Sequence, residues 1–345
     1  MMKFSMFSHM ERVSEEQTQS QLYEEFLSLC EMADNGGMCT IWTGEHHGMD
    51  FTIAPNPFLN LVDLARRTNN VRLGTGTVVA PYWNPIKLAG EAAMTDILTQ
   101  GRLELGIARG AYSFEYERMM QGGMDAWEAG ERLREMIPAL RGLWAGNHTQ
   151  EGKYYNFPKT TASPKPLTEQ GPPIWVAARD INSHEFAVEN DCNVQVTPLW
   201  QGLDEVESLI SKFNQACETH NKRPKIMILQ HAYVGKDEAE LARAAKQLNE
   251  FYCYFGAWFK NERPIDQGMI KRLSQQEIDA HPFYSADKIR KDLMIGTPKQ
   301  IIDRLKHYQD LGYDEFSYWS DSGMSNEQKK TSLARFIDDV MPAFS

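Results

Sequence analysis

No two cysteines in the chain are spaced as CxxC, and the five present (Cys30, Cys39, Cys192, Cys217, Cys253) are odd in number and scattered. That excludes a disulfide framework and a cysteine zinc site, and it suits reduced thiols in a cytoplasm. Basic residues are scarce beside acidic ones: 36 Lys and Arg against 47 Asp and Glu leave a net charge of −11. Such a surface repels nucleic acid and anionic membranes, so neither is an expected partner. No apolar run approaches the roughly 20 residues of a membrane span. The opening MMKFSMFSHMERVSEEQ has no apolar signal core and no small-residue cleavage site, so export is not expected. Also missing are GxxxxGK[ST], HExxH and GxSxG, and no GxGxxG follows a strand and opens a helix. The readings as NTPase, zinc protease, serine hydrolase or self-sufficient nicotinamide enzyme fall with them.

What the chain does contain is eight short apolar runs of β type, over 3–8, 39–47, 71–81, 102–110, 173–180, 192–200, 226–235 and 314–321. A helical pattern follows nearly every run, near 14–35, 126–145, 204–220, 237–259, 297–312 and 326–341. Asn56-Pro57 and Asn84-Pro85 start two further helices, proline being well placed in a first turn. Strand–helix alternation repeated eight times calls for a parallel, closed (β/α)₈ TIM barrel, and 345 residues fit one such domain with insertions. Two segments break the repeat. Residues 146–172 carry four prolines and suggest an inserted hairpin, and polar residues 260–296 are too long for a bare connection.

Barrels of this kind place their chemistry at the C-terminal ends of the strands. Those ends here read Glu45-His46-His47, Thr75-Gly76-Thr77, Arg109-Gly110 and Arg179-Asp180. A histidine at a strand end can act as general acid or base, and alternation lets only one of His46 and His47 face the axis. The other reading is a hydrogen-bonded imidazole at a polar strand end. No ligand spacing for a metal accompanies it. Arg109 before a glycine suits a phosphate or carboxylate, or a rim salt bridge. Asp180, Asn182 and Ser183 open a helix whose N-terminus can hold an anion or simply be capped. Aromatic residues crowd 251–259 (FYCYFGAWF), a pattern that fits core or subunit interface more often than a pocket.

KFSMF, WTGEHHGMDFTIAPNPFLNLVDLA, VRLGTGTVVAPYWNPIKLAGEAAMTDILTQGRLELGIARG and GTPKQIIDRLKHYQDLGYDEF, taken in order, resemble the bacterial luciferase-like flavin monooxygenases over essentially the whole chain. The resemblance is to the branch that takes reduced FMN from a separate NAD(P)H:flavin reductase. It implies a (β/α)₈ barrel binding FMN at its C-terminal mouth, with O₂ as co-substrate and a small apolar organic substrate: aldehyde, ketone, hydrocarbon or organosulfur compound. The family's catalytic histidine falls on His46, its phosphate arginine on Arg109 and its phosphate loop on Arg179, Asp180 and Ser183. Its non-proline cis peptide falls on Gly76-Thr77, with Glu45 and Thr75 beside it on the cofactor side, and its mobile loop lies within 260–296. A homodimer and a cytoplasmic location go with the resemblance. Two positions depart from it: Ala108 stands where luciferase has a reactive cysteine, and Asp180 where a small phosphate contact is usual. A deazaflavin-dependent hydride-transfer enzyme and a flavin-binding barrel without turnover are the rival readings.

Overall fold

The computed structural model describes residues 1–259 and 263–344. The run KFSMFS forms β1 (Lys3–Ser8), in which every residue after Lys3 is buried. Burial on both faces is what a parallel strand under covering helices requires, and it explains why the run is apolar without alternation. β1 pairs with β2 (Thr40–Thr43), which pairs with β3 (Arg72–Thr75). The order continues through β4 (Leu103–Ala108), β5 (Ile174–Ala177), β6 (Asn193–Val196) and β7 (Ile226–Val234) to β8 (Glu315–Trp319). β8 pairs back onto β1, so eight parallel strands close a barrel, as the alternation predicts.

The differences from expectation lie at element ends. The first helix begins at Gln19, not near 14, because Thr18 caps it in a capping box with Gln21. The second strand stops at Thr43, so Glu45-His46-His47 stands beyond it in a loop. Gly44 makes that exit possible, since a Cβ there would lie 2.7 Å from the His9 ring and 3.2 Å from the Gly76 carbonyl oxygen. The third run divides into Arg72–Thr75 and Val78–Val79 around a cis Gly76-Thr77 peptide bond.

The inserted segment near 146–172 does hold an antiparallel hairpin, His148–Glu151 with Asn156–Thr160. Within 263–296 the chain forms a small hairpin (Ile265–Asp266 with Met269–Ile270), helices Gln275–Asp279 and Ala286–Asp292, and a strand Met294–Gly296. That last strand extends the sheet at the far end of β7. Residues 260–262 of the expected loop lie outside the described residues.

Inside the barrel, Phe7, Trp42, Trp175, Met227 and Trp319 pack together. Two buried acids anchor this layer: Glu315 accepts the Trp42 indole N–H at 3.2 Å and Glu104 accepts that of Trp175 at 2.6 Å. Arg72 pairs with Glu104 as well. A separate aromatic cluster closes the C-terminal end, built from Phe51, Tyr112, Phe114 and the helix Glu238–Phe259.

Candidate active site

The mouth of the barrel is where the sealed interior opens. Leu229, between buried neighbours on β7, is half-buried, and so are Gly76, Thr77, Ala108, His9 and His46 at the ends of other strands. Their residual exposure marks the end of the barrel from which a cofactor or substrate can reach the strand ends.

His46 Nδ1 lies 3.0 Å from Glu115 Oε2, and Glu115 is 1% exposed. The other oxygen of Glu115 accepts the His47 backbone N–H at 2.6 Å, which fixes the acid on the histidine loop. The His46 ring packs against His9, Phe51 and Tyr112 at centroid distances of 5.1 to 5.5 Å. His47 turns the other way. Its Nε2 lies 2.7 Å from Glu45 Oε1 and its ring meets Tyr82. Burial disfavours the imidazolium of His47, but the hydrogen bond it donates to Glu45 and the charges of Glu45 and Glu115 outweigh it and raise its pKa. Glu45 itself is 2% exposed and holds the Val79 backbone N–H at 2.8 Å and the Trp83 indole N–H at 2.9 Å. Its carboxylate thus serves the protein rather than the open mouth.

Thr75 donates through Oγ1 to the Gly106 carbonyl at 2.7 Å, joining β3 to β4 below the cis bond. On the rim, Arg109 is exposed, with Nη1 on the Ala126 carbonyl at 2.9 Å. Arg179 is exposed too, paired with Glu205 at 2.8 Å. Asp180 caps the helix Ile181–Glu189: it accepts the Ser183 N–H at 3.1 Å and its hydroxyl at 2.7 Å. Burial pushes the Asp180 pKa up, yet those hydrogen bonds and the charge of Arg109 bring it below the ordinary value. The structure therefore gathers His46, Thr75, Gly76, Thr77, Arg109, Asp180 and Ser183 around one end of the barrel. Ser183 already bonds to the cap carboxylate beside it.

Four features escape a reading of the sequence. Glu115 and Glu11 are acids behind histidines, and neither carries a motif. Phe51 lies in the loop after β2, and Phe255 and Trp258 reach it from the long helix at 5.0 and 5.4 Å. The crowded aromatics of 251–258 are core, as their pattern suggests, and that core is the roof of the mouth. Gln195 is 7% exposed with its Nε2 unpartnered, over Gly106, where a Cβ would lie 3.1 Å from the amide.

These residues fit a flavin. The unpartnered Gln195 amide and the open backbone at Gly76-Thr77 offer a planar, hydrogen-bonding ring a place in the mouth, and two exposed arginines on the rim offer cations to a phosphate.

A family profile described as luciferase-like monooxygenase matches residues 2–315. The chain is 64% identical over 346 residues to the oxygenase component of the flavin-dependent trigonelline monooxygenase of Acinetobacter baylyi, covering 100% of this chain and 96% of that protein. It is 24% identical over 337 residues to the alkanal monooxygenase alpha chain of the Kryptophanaron alfredi symbiont, covering 94% and 93% of the two. Among solved structures, the monooxygenase RslO1 from Streptomyces bottropensis superposes with a TM-score of 0.84 at 25% identity, each chain covered in full. The chain therefore belongs to the luciferase-like monooxygenase family. It is an enzyme, a flavin-dependent monooxygenase on a TIM barrel.

Proposed function

We infer that this chain is the oxygenase component of a two-component system that takes reduced FMN from a separate NAD(P)H:flavin reductase and oxygenates trigonelline or a close N-methylated pyridine carboxylate. The carrying observation is 64% identity over the full chain to a protein with that named activity. A charged aromatic zwitterion takes the place of the apolar substrates that the luciferase resemblance implies. The mouth suits it: Phe51, Tyr112 and His46 turn ring edges and faces to one another there, and a planar cation gains from aromatic faces.

Bound reduced flavin supplies the electrons that activate O₂. The chain's residues do the rest. Arg109 and Arg179 would hold the phosphate, with Asp180 and Ser183 shaping the helix start that follows Arg179. The backbone at Thr75, Gly76 and Thr77 would support the ring. Glu45 sets the loop from behind, through His47 and Val79. The aromatic roof of Phe51, Phe255 and Trp258 keeps water out. His46 moves a proton at Nε2, held in orientation by Glu115 on Nδ1.

The proposed homodimer has a surface that fits it. Leu59, Met94 and Ile97, at 72%, 47% and 42% exposure, present apolar side chains on two outer helices. The five cysteines are all unpaired, in keeping with a reducing cytoplasm, and among the described residues no helix is long and apolar enough to cross a membrane.

The test supplies the purified chain with FMN, a flavin reductase, NADH and trigonelline in air. The product, read by mass spectrometry, should carry one added oxygen atom, and omission of the reductase should abolish it. Turnover with NADH alone would sink the two-component reading; an unchanged substrate with full flavin oxidation would sink the pyridine one.

Arg109→Ala should weaken FMN binding about ten- to a hundred-fold, since a charge-assisted hydrogen bond contributes roughly 1.5–3 kcal/mol. Binding of riboflavin, which lacks the phosphate, should stay unchanged in the same titration. Equal losses for both would assign Arg109 to the rim alone.

A further inference from the structure

The mouth holds a second histidine–carboxylate pair built like the first. His9 directly follows β1, and its Nδ1 lies 3.4 Å from Glu11 Oε1, as His46 Nδ1 lies 3.0 Å from Glu115 Oε2. Both acids are buried, at 4% and 1% exposure. Both imidazoles keep 12% of their side-chain surface open. Neither Nε2 meets a hydrogen-bond partner among the described residues, and neither is sealed inside the protein. The two rings stand almost perpendicular with centroids 5.5 Å apart.

The rest of the setting fixes His9 in place. Its ring lies against Phe7 at 4.5 Å, Phe51 at 5.2 Å and Trp319 at 5.3 Å. Its backbone N–H donates to Asp321 Oδ2 at 2.7 Å, and the Glu11 N–H donates to Asp321 Oδ1 at 3.3 Å. Gly44 passes so close to the ring that any side chain there would strike it. A histidine used for packing alone needs neither a buried acid on one nitrogen nor an open second nitrogen in the mouth.

We propose that His9 is a second catalytic residue, a general acid whose Nε2–H gives a proton to an oxygen atom reacting in the mouth. A monooxygenase puts one atom of O₂ into its substrate and releases the other as water, so protons must reach oxygen inside a site closed to bulk water. Burial, then the charges of His46 and His231, holds the His9 pKa well below its ordinary value. Burial, then Asp321, holds that of Glu11 well above, with Lys329 partly opposing. In the donor state the pair's shared proton sits on the Glu11 carboxyl beside Nδ1, and Nε2 carries the N–H on the mouth side. In the step, the Nε2–H bond breaks as an O–H bond forms on the reacting oxygen, and the Glu11 proton crosses to Nδ1. One proton is given and no electrons move. Nε2 then takes up a proton from solvent as the Nδ1 proton returns to the Glu11 carboxylate, which restores the donor. This assignment rests on the monooxygenase class of the chain and not on the pyridine substrate.

Two substitutions separate the two nitrogens. In His9→Asn the amide replaces Nδ1 beside Glu11 but nothing replaces Nε2; in His9→Gln the amide reaches the Nε2 position and leaves Glu11 alone. With reductase, FMN, NADH and trigonelline, both variants should form product on the order of 100-fold more slowly, with FMN binding unchanged, because a carboxamide N–H reaches either position but gives up no proton. Wild-type rates in His9→Asn would make His9 a prop for Glu11, and wild-type rates in His9→Gln would make Nε2–H a hydrogen bond only; either would overturn the proposal. If the wild-type chain leaves trigonelline untouched, the substrate reading fails by itself. The two variants are then compared with wild type by the rate at which protein-bound reduced FMN reoxidises in air, with a slowing expected in both. A third measurement needs no activity and no variant. Diethyl pyrocarbonate on the flavin-free wild-type protein, followed by peptide mass spectrometry, should label His9 about as fast as His46. It should be much faster than at His231, which is 1% exposed. Labelling of His9 no faster than His231 would overturn the open Nε2, and decides the matter if neither variant folds.

Discussion

His46→Ala is expected to cut product formation by about 10²–10⁴-fold, the usual range for a positioned proton-transfer group. FMN affinity should stay close to wild type, because the side chain is a wall of the mouth, while the melting temperature falls, since alanine leaves the buried Glu115 Oε2 without its partner. The flavin should still be oxidised by air, but with most of the reducing equivalents ending in hydrogen peroxide and not in product. Nδ1 is committed to Glu115, so Nε2 is the atom that the alanine variant removes from the chemistry. His47→Ala is the necessary companion. That ring turns toward Glu45 and Tyr82, so its loss should disturb the loop more than the coupling of flavin oxidation to product. The measurement is product per NADH consumed in both variants, with thermal melts beside it. Normal coupling in His46→Ala and a collapse in His47→Ala would move the role one residue along.

The barrel was legible because its physics is local. A parallel strand covered by helices is buried on both faces, so runs such as LELGIA and IMIL announce themselves as short apolar blocks. Proline at the first turn and glycine after the last mark the helices between them. The site was legible where function falls at strand ends, which the fold class assigns in advance. The partners of the site residues were not. Glu115 is 69 positions from His46 and sits on a short helix with nothing in its spacing to show that it is buried. Glu11 reads as one acid in a polar stretch, ERVSEEQ, and only the approach of Asp321, more than 300 residues away, closes it in. The roof needs Phe51 to meet Phe255, again a contact that no periodicity encodes. His9 stands alone after its strand, and its meaning depends on a glycine from the neighbouring strand end making room. Burial of charge is a property of the assembled molecule, and the sequence carries the charge without the burial.

At Glu45 such a buried charge governs stability. Its carboxylate collects the Val79 N–H, the Trp83 indole N–H and the His47 ring within 3.1 Å, at 2% exposure. Glu45→Ala leaves two buried donors without an acceptor and an imidazole without its counter-charge. Each unsatisfied donor costs about 1–3 kcal/mol, and breaking a buried charged pair about 3–5 kcal/mol as a whole. The expected loss is therefore about 3–5 kcal/mol in urea unfolding, hundreds-fold or more in the folding equilibrium. Glu45→Gln keeps one acceptor oxygen and the shape, so its loss should be clearly smaller. The pair also gives the wild type a pH signature. The folded pKa of His47 is raised, so the folded state binds the proton more tightly than the unfolded chain does. That contribution is complete below the unfolded pKa of about 6.5 and is lost as pH rises through the folded one. Wild-type stability should thus decline with pH across that window, and Glu45→Gln should flatten the decline. An alanine variant within 1 kcal/mol of wild type, well under the ~3 kcal/mol expected, would mean that Val79 and Trp83 find other acceptors and that Glu45 is free to face the flavin.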